Sequence, residues 1–247
     1  MRRGEVNLTH SRLDTRSETW FTNRVARLQI GSAGGIEPAG GKAAPRVRSF
    51  GEDYRLTPVD RFGIWLSRRQ IERWVPSLAG KVVGDFGCGF HARLARSTLG
   101  EVARAYLVDV SLAPDLANHD RVVAIQGALP GALRGVPAGS IDVALCISVL
   151  EHLSEPDEML RELMRVLKPD GTALINVPSW RGKTFLELSA FRLGLSPAAE
   201  MDDHKMYYDV RDLWPKLVLA GFRPSRIRCF SHKFGLNTFA VCRKDQA

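Results

Sequence analysis

The sequence predicts an α/β protein with a doubly wound, mostly parallel sheet of seven strands, helices on both faces and an antiparallel C-terminal hairpin. Three observations support this fold class. Short apolar segments alternate with helix-like segments beyond residue 50, and a glycine-rich turn follows the first apolar segment. The last two apolar segments are too close together for a crossover helix, so they should pair antiparallel. The 247 residues suffice for one domain with a substantial core.

Each element is predicted from the spacing of its apolar residues, which is helical in some segments and continuous or alternating in others. The sequence KPDG, residues 168–171, predicts a turn between a helix and a strand. Helices are predicted over Asp60–Val75, Ala92–Leu99, Pro156–Leu167 and Asp209–Ala220. Strands are predicted over Lys81–Phe86, Ala105–Val110, Val122–Gln126, Ile141–Ile147, Thr172–Val177, Arg226–Ser231 and Asn237–Arg243.

Residues 1–50 differ in composition from the rest of the chain. They contain nine Lys and Arg against four Asp and Glu, together with the stretch GSAGGIEPAGGKAAP. We therefore expect a flexible basic N-terminal extension over 1–50 and a globular domain over 51–247. Because most of the net charge of +8 lies in the extension, and no basic run is interleaved with aromatics, we expect no nucleic-acid partner.

The cysteines and the apolar segments bear on the compartment. The four cysteines are scattered and form no CxxC pair, which favours reduced thiols in a cytoplasmic protein without a metal site. No apolar run reaches the length that crosses a bilayer, so no transmembrane segment is expected. The N-terminus has basic residues but lacks the apolar core of a secretory signal.

The turn Asp85-Phe-Gly-Cys-Gly89 is the first candidate site. A strand, a glycine turn and a helix direct backbone N–H groups toward a ligand. A dinucleotide fingerprint would be G-x-G-x-x-G, and here His91 stands where a third glycine is often found. The carboxylate of Asp85 would repel a pyrophosphate but suits a ligand with a positively charged end. Asp109 ends the second strand, at the spacing from which a carboxylate accepts hydrogen bonds from ribose hydroxyls.

Together with the downstream segments, this turn resembles the class I S-adenosylmethionine-dependent methyltransferases. Asp85–Gly89 resembles their motif I. The segment from Asp142 through Ser148–Leu150 and Glu151-His152-Leu153 to RVLKPDG is similar to small-molecule methyltransferases of the ubiquinone and menaquinone biosynthesis type, and to relatives acting on lipids or glycans. The resemblance runs from about Lys81 to Val177 and implies S-adenosyl-L-methionine as the cofactor.

The resemblance also implies which residues hold that cofactor. Asp85 would hold the methionine amino end, and Asp109 both ribose hydroxyls. The family often has an acid for the adenine amino group where this chain has Ala128, so only backbone, Gln126 or packing on Leu129 is available there. The implied cofactor-binding residues are Asp85, Gly87, Cys88, Gly89, Asp109, Val110, Ala128, Leu129 and Ile147.

Two histidines are candidates for catalysis. Methyl transfer from a sulfonium needs positioning of the acceptor, and a general base only when the acceptor must lose a proton. His152 follows the fourth strand, and His204 lies near the end of a long connection over 178–208. Because long loops at the carboxyl ends of strands are often functional, we interpret this insertion as a substrate lid carrying Asp203, Tyr207 and Tyr208. The alternatives are a braced histidine at a helix entry and a charged surface loop.

The sequence thus predicts a methyltransferase acting on a small-molecule, lipid-linked or glycan-linked acceptor, with oxygen as the favoured acceptor atom. Two other classes stay open. One is a non-catalytic methyltransferase-like scaffold, which the departures at His91 and Ala128 would suit. The other is an NAD(P)-dependent Rossmann oxidoreductase, which would need a third glycine and a Tyr-x-x-x-Lys pair that this sequence lacks.

Overall fold

A computed structural model describes residues 49–52, 56–185 and 204–246, which belong to the compact unit Ala44–Ala247. None of the helices in these ranges has an apolar stretch long enough to cross a bilayer. The helices are α1 (Pro58–Trp74), α2 (Arg93–Arg96), α3 (Pro114–Ala117), α4 (Pro156–Val166) and α5 (Val210–Leu219), and residues 180–185 are also helical. The strands are β1 (Val82–Phe86), β2 (Arg104–Asp109), β3 (Val122–Gln126), β4 (Ile141–Ile147), β5 (Leu167–Pro178), β6 (Ile227–His232) and β7 (Asn237–Arg243).

The seven strands form one sheet in the order β3-β2-β1-β4-β5-β7-β6. The first five of these pair in parallel, and β7 pairs antiparallel with both β5 and β6. The predicted fold class is therefore confirmed. The strand order reverses between β1 and β4, and ligands of open α/β sheets bind outside the carboxyl ends of the strands at such a reversal.

Both faces of the sheet are covered, as expected for a doubly wound fold. On one face α4 and α5 bury apolar side chains such as Leu163 and Leu217. On the other face α1 and α3 bury Ile71 and Leu116. Neighbouring residues of β4 alternate between the two cores, so the central strand holds both layers together.

The connection from β1 to β2 is less helical than the sequence predicts. The prediction of a helix over Ala92–Leu99 is wrong in its bounds, because α2 covers only Arg93–Arg96. Ala92 has φ +41, a left-handed conformation that does not extend a right-handed helix. The chain therefore turns once more after the glycine turn before a short helix begins.

The turn predicted over 168–171 lies inside β5 as a bulge. The register between β4 and β5 shifts between Ile141 and Val143, and the extra residues of β5 bulge out there. The carboxylate of Asp142 holds this bulge, accepting hydrogen bonds from Lys168 Nζ at 2.8 Å and from the backbone N–H of Val82 at 2.8 Å. Because this is where β1 and β4 begin, Asp142 stabilises the edge of the sheet opposite the glycine turn.

Candidate active site

The glycine turn follows β1 at the centre of the sheet. Gly87 and Gly89 have φ values of +77 and +73, which residues with a Cβ adopt only at a cost. A Cβ on Gly87 would lie 2.4 Å from Cγ2 of Val149, just after β4. A Cβ on Gly89 would lie 3.0 Å from the carbonyl oxygen of Phe50. The turn is therefore packed from two sides, and the Gly87 position has room only for glycine.

Asp85, the last residue but one of β1, has a buried carboxyl group that is only 2% exposed. Burial, and secondly the charge of Asp109, raises the pKa of Asp85 to about 7. Its Oδ2 has no hydrogen-bond partner among the described residues. A buried carboxylate is stable only when it is paired, so this atom fits a cationic group of a ligand and opposes a pyrophosphate.

Asp109 ends β2 beside the turn. Its Oδ2 accepts a hydrogen bond from Gly89 N at 2.8 Å, and its Oδ1 accepts one from Val110 N at 2.8 Å. The hydroxyl of Ser49 also donates to Oδ1. A carboxylate offers about four acceptor positions, so one position remains for a ribose hydroxyl. A second ribose hydroxyl would have to take the place of Ser49.

Ser49 is a contact that sequence reasoning missed. Its Oγ also accepts a hydrogen bond from Ser111 N at 3.0 Å, and the neighbouring carbonyl of Phe50 accepts one from Phe90 N at 3.0 Å. The last two residues of the predicted extension over 1–50 thus lie against the glycine turn, and residues 1–48 fall outside the described ranges. No sequence signal distinguished Ser49, because it follows a Gly/Ala/Pro tract.

The other residues implied as cofactor-binding lie along the same edge. Gln126 at the end of β3 pairs with Asp109, so exposed Ala128 and half-buried Leu129 follow directly beside the ribose position. Ile147 ends β4 and is half-buried. Burial, and secondly the charge of Asp85, raises the pKa of the Cys88 thiol well above its usual value, so this thiol is neutral and not a nucleophile.

The exit of β4 brings the two candidate catalytic histidines together. The ring centroids of His152 and His204 are 4.7 Å apart at an interplanar angle of 64°. The backbone N–H of Lys205 donates to the carbonyl of Glu151 at 2.7 Å, which fixes the returning chain beside β4. The hydroxyl of Tyr207 lies 3.2 Å from Nδ1 of His204 and orients its ring.

The buried carboxylate of Glu151 completes a cluster with these two rings. The ligand atoms of Glu151, His152 and His204 all lie within 4.8 Å of one another, a spacing that could hold a metal ion. The sequence analysis predicted no metal site, because that prediction rested on the spacing of the cysteines. His204 is also distant along the chain from Glu151 and His152, so their proximity has no local sequence signal. The three side chains share one region of the carboxyl edge.

The predicted lid over 178–208 is described only at its two ends. Asp203 lies outside the described residues. Tyr207 is 6% exposed and its ring contacts that of Trp180 at 5.6 Å. Tyr208 packs in the core beneath the sheet edge, and burial, followed by the charge of Glu151, raises its pKa to about 12. Tyr208 thus anchors the C-terminal end of the insertion in the core.

Comparisons with known proteins agree with this geometry. Residues 84–175 match the family model described as a methyltransferase domain. A probable S-adenosylmethionine-dependent methyltransferase of Mycobacterium tuberculosis is 26% identical over 152 residues, covering 60% of this chain and 55% of the relative. A ubiquinone biosynthesis O-methyltransferase of Acinetobacter baylyi is 28% identical over 165 residues, covering 60% of this chain and 68% of the relative. The chain thus spans about half the length of the mycobacterial relative.

Solved structures show the same architecture. A SAM-dependent methyltransferase from Archaeoglobus fulgidus superposes with a TM-score of 0.53 at 14% identity, over 76% of this chain and 100% of that chain. At this identity the likeness concerns the fold alone. The family match over residues 84–175 and the sequence relatives support a class I S-adenosylmethionine-dependent methyltransferase. S-adenosylmethionine is the cofactor of this class.

The packing of the glycine turn predicts that Gly87→Ala is far more harmful than Gly80→Ala. Gly80 also has a left-handed φ, +68, but nothing lies within 4 Å of a Cβ there. Gly80→Ala should therefore cost only the backbone strain, about 1–2 kcal/mol in the free energy of unfolding. Gly87→Ala should cost about 1–3 kcal/mol more from the contact with Val149.

Urea denaturation and calorimetry with S-adenosylhomocysteine measure these effects. Gly80→Ala should bind S-adenosylhomocysteine as the wild type does, whereas Gly87→Ala should bind it more weakly. Equal losses of stability and unchanged affinity in both variants would show that the contact between Gly87 and Val149 does not shape the site.

Proposed function

We propose that this chain transfers the methyl group of S-adenosylmethionine to an oxygen atom of a small-molecule, lipid-linked or glycan-linked acceptor. The observation that carries the proposal is the buried carboxyl group of Asp85, whose Oδ2 lacks a hydrogen-bond partner among the described residues, beside the turn Gly87–Gly89. This arrangement stands where β1 and β4 end side by side. It suits a ligand that is cationic at one end.

In this proposal each part of the cofactor meets a matching group. The ammonium of the methionine end pairs with Asp85, and a ribose hydroxyl donates to Asp109. The adenine lies against Leu129 and Ile147, with hydrogen bonds to the backbone near Ala128 because no side-chain acid is available there. Because Gly87 and Gly89 have no Cβ atom, the ligand can approach the backbone of the turn closely.

The acceptor in this proposal lies at the exit of β4, next to His152 and His204. Their rings are 4.7 Å apart, and Tyr207 orients His204 through Nδ1. As the acceptor oxygen attacks the methyl group, the new O–C bond forms and the S–C bond breaks. The hydroxyl proton passes to a histidine nitrogen, and the electron pair of the broken bond stays on the sulfur of S-adenosylhomocysteine. The reaction needs no further reactant.

Oxygen as the acceptor atom is supported by the name of the Acinetobacter baylyi relative, an O-methyltransferase of ubiquinone biosynthesis. The insertion over 178–208 is proposed as the lid over the acceptor, because both of its described ends lie at the site. Tyr208 N donates to Pro178 O at 3.0 Å, which brings these ends together.

The four free cysteines fit a reducing compartment such as the cytoplasm.

The raised pKa of Asp85 predicts how cofactor affinity depends on pH. The folded protein without ligand holds the Asp85 proton up to about pH 7, whereas the unfolded chain releases it near 3.8. The contribution of Asp85 to stability is therefore lost as pH rises from about 4 to 7. An ammonium favours the ionised carboxylate, so binding releases the proton, and affinity should rise toward tenfold per pH unit between about pH 5 and 6.5.

Isothermal titration calorimetry with S-adenosylhomocysteine measures this dependence. Asp85→Asn should remove it and weaken binding at pH 7.5 by about 1.5–3 kcal/mol. Methylthioadenosine, which lacks the amino-acid end, serves as the control ligand and should bind without this pH dependence. Equal pH profiles for both ligands would contradict the role of Asp85, and binding of NAD without S-adenosylhomocysteine would contradict the proposed function itself.

The adjacency of the two histidines predicts that each contributes to turnover. His152→Ala and His204→Ala should each lower kcat roughly 10²–10⁴-fold if that residue takes the acceptor proton, with little change in cofactor affinity. Transfer of a labelled methyl group from S-adenosylmethionine to a panel of hydroxylated small molecules, lipids and glycans identifies an acceptor for these measurements. Because the rings are in contact, the losses should not add in the double variant.

The control for this experiment is His119→Ala. His119 is exposed and its Nδ1 accepts a hydrogen bond from Arg121 N at 3.2 Å, away from the glycine turn. It should leave turnover unchanged. If His152→Ala and His204→Ala both keep the full rate, neither histidine is the base.

A further inference from the structure

The turn between β6 and β7 has an unusual backbone. Lys233, Phe234 and Gly235 have φ values of +49, +60 and +86, three consecutive left-handed residues of which only one is glycine. A left-handed residue with a Cβ costs about 1–2 kcal/mol. Burial of Phe234 does not offset this cost, because its side chain is 82% exposed. Strain of this kind persists where the surroundings enforce it, and it is common at functional sites.

The surroundings of this turn do enforce it. Ser179, immediately after β5, donates its backbone N–H to Leu236 O at 2.9 Å and its hydroxyl to Gly235 O at 2.7 Å. The same hydroxyl accepts a hydrogen bond from Gly182 N at 3.0 Å. A Cβ on Gly182 would lie 2.1 Å from the carbonyl oxygen of Leu236. The turn is thus fixed to the carboxyl end of β5, at the edge of the sheet that carries the site.

This conformation directs the side chain of Lys233 inward. Its Nζ would lie 3.7 Å from a Cβ on Gly63, so the ammonium reaches the inner side of α1. Lys233 is half-buried, and burial lowers its pKa to about 8 while the charge of Glu151 opposes the shift. Burial, and secondly the charge of Lys233, lowers the pKa of neighbouring His232 to about 4, so this ring is neutral beside Lys233.

The ammonium of Lys233 makes no hydrogen bond or ion pair with the residues that the structure describes. Desolvating a cation is unfavourable unless an anion or hydrogen-bond acceptors compensate. Lys205, which lies at the same edge of the sheet, has a hydrogen-bond partner for its ammonium, since its Nζ donates to Ser154 Oγ at 2.8 Å. A strained and tightly held turn therefore presents a cation near Glu151 whose burial costs more than the charge of Glu151 offsets.

We propose that Lys233 binds an anionic oxygen group, a carboxylate or a phosphate, carried by the methyl acceptor. The inference rests on the proposed function and adds the chemical class of its substrate. An ion pair between Lys233 and the acceptor would hold the acceptor between α1 and the exit of β4. There the hydroxyl to be methylated meets His152 and His204. Lys233 is thus a binding residue for the acceptor, and sequence reasoning missed it.

The test uses the full chain saturated with S-adenosylhomocysteine and two probes, benzoate and inorganic phosphate. Lysines dimethylated with ¹³C keep their charge and report their titration by NMR, and Lys233→Arg identifies the Lys233 signal by its disappearance. The Lys233 signal should titrate near pH 8 without anion. At saturation with the better probe its pKa should rise by about one unit, which corresponds to tenfold tighter binding of the anion to the charged form.

Calorimetry on variants gives a second readout. Lys233→Met should weaken binding of the better probe at least about tenfold, and Lys233→Arg should retain most of it because the charge remains. Lys216→Met is the matched control, since Lys216 pairs with Asp157 at 2.8 Å on the surface, and it should bind the probe as the wild type does. The better probe tells whether the acceptor group is a carboxylate or a phosphate.

The outcomes separate this proposal from the one on which it rests. If neither anion moves the Lys233 titration while S-adenosylhomocysteine binds normally, Lys233 is not an acceptor-binding residue. Equal binding of both anions to Lys233→Met and wild type leads to the same conclusion. If the wild type fails to bind S-adenosylhomocysteine, the proposed function is wrong, whatever the anions do.

Discussion

The contact of Gly87 with Val149 joins the two chain segments on which the site is built. β1 and β4 are adjacent, and the strand order reverses between them. Ser148, with φ +57, turns the chain sharply at the end of β4 so that Val149 packs where a Cβ of Gly87 would be. The candidate cofactor residues of β1 and the cluster at Glu151 therefore lie side by side.

Electrostatics then distinguishes the two ends of the site. Two acids, Asp85 and Asp109, lie at the glycine turn, and their mutual repulsion adds to burial in keeping Asp85 protonated near neutral pH. At the other end, Lys233 supplies a cation that burial makes less stable. A cationic cofactor would relieve the first imbalance, and an anionic acceptor would relieve the second. Binding of two ligands of opposite charge would therefore lower the electrostatic free energy of the site.

Much of the fold and of the cofactor turn could be predicted from sequence, because the signals are local. The turn Asp85–Gly89 and the spacing to Asp109 need no tertiary information. His152 and His204 were each identified, but their contact was not, because it depends on the hydrogen bond from Lys205 to the backbone after β4. The KPDG segment fits a turn and a bulge equally well, and only the pairing of β5 with β4 decides between them.

Other parts of the site carry no readable sequence signal. Ser49 adjoins a tract without periodicity, so its contact with Asp109 could not be foreseen. In the sequence Lys233 resembles any surface lysine. Its inward direction comes from three consecutive left-handed residues and from the hydrogen bonds of Ser179 to the turn. Such features arise from backbone strain that distant residues enforce, and propensity rules describe unstrained segments.

The most direct test of the central claim is a crystal structure of the chain with S-adenosylhomocysteine. The amino group of the ligand should lie within hydrogen-bond distance of Asp85, directly or through one water. The ribose should lie at Asp109 and the sulfur should face His152. A ligand whose amino group lies away from Asp85, or whose sulfur faces away from the exit of β4, would contradict the account.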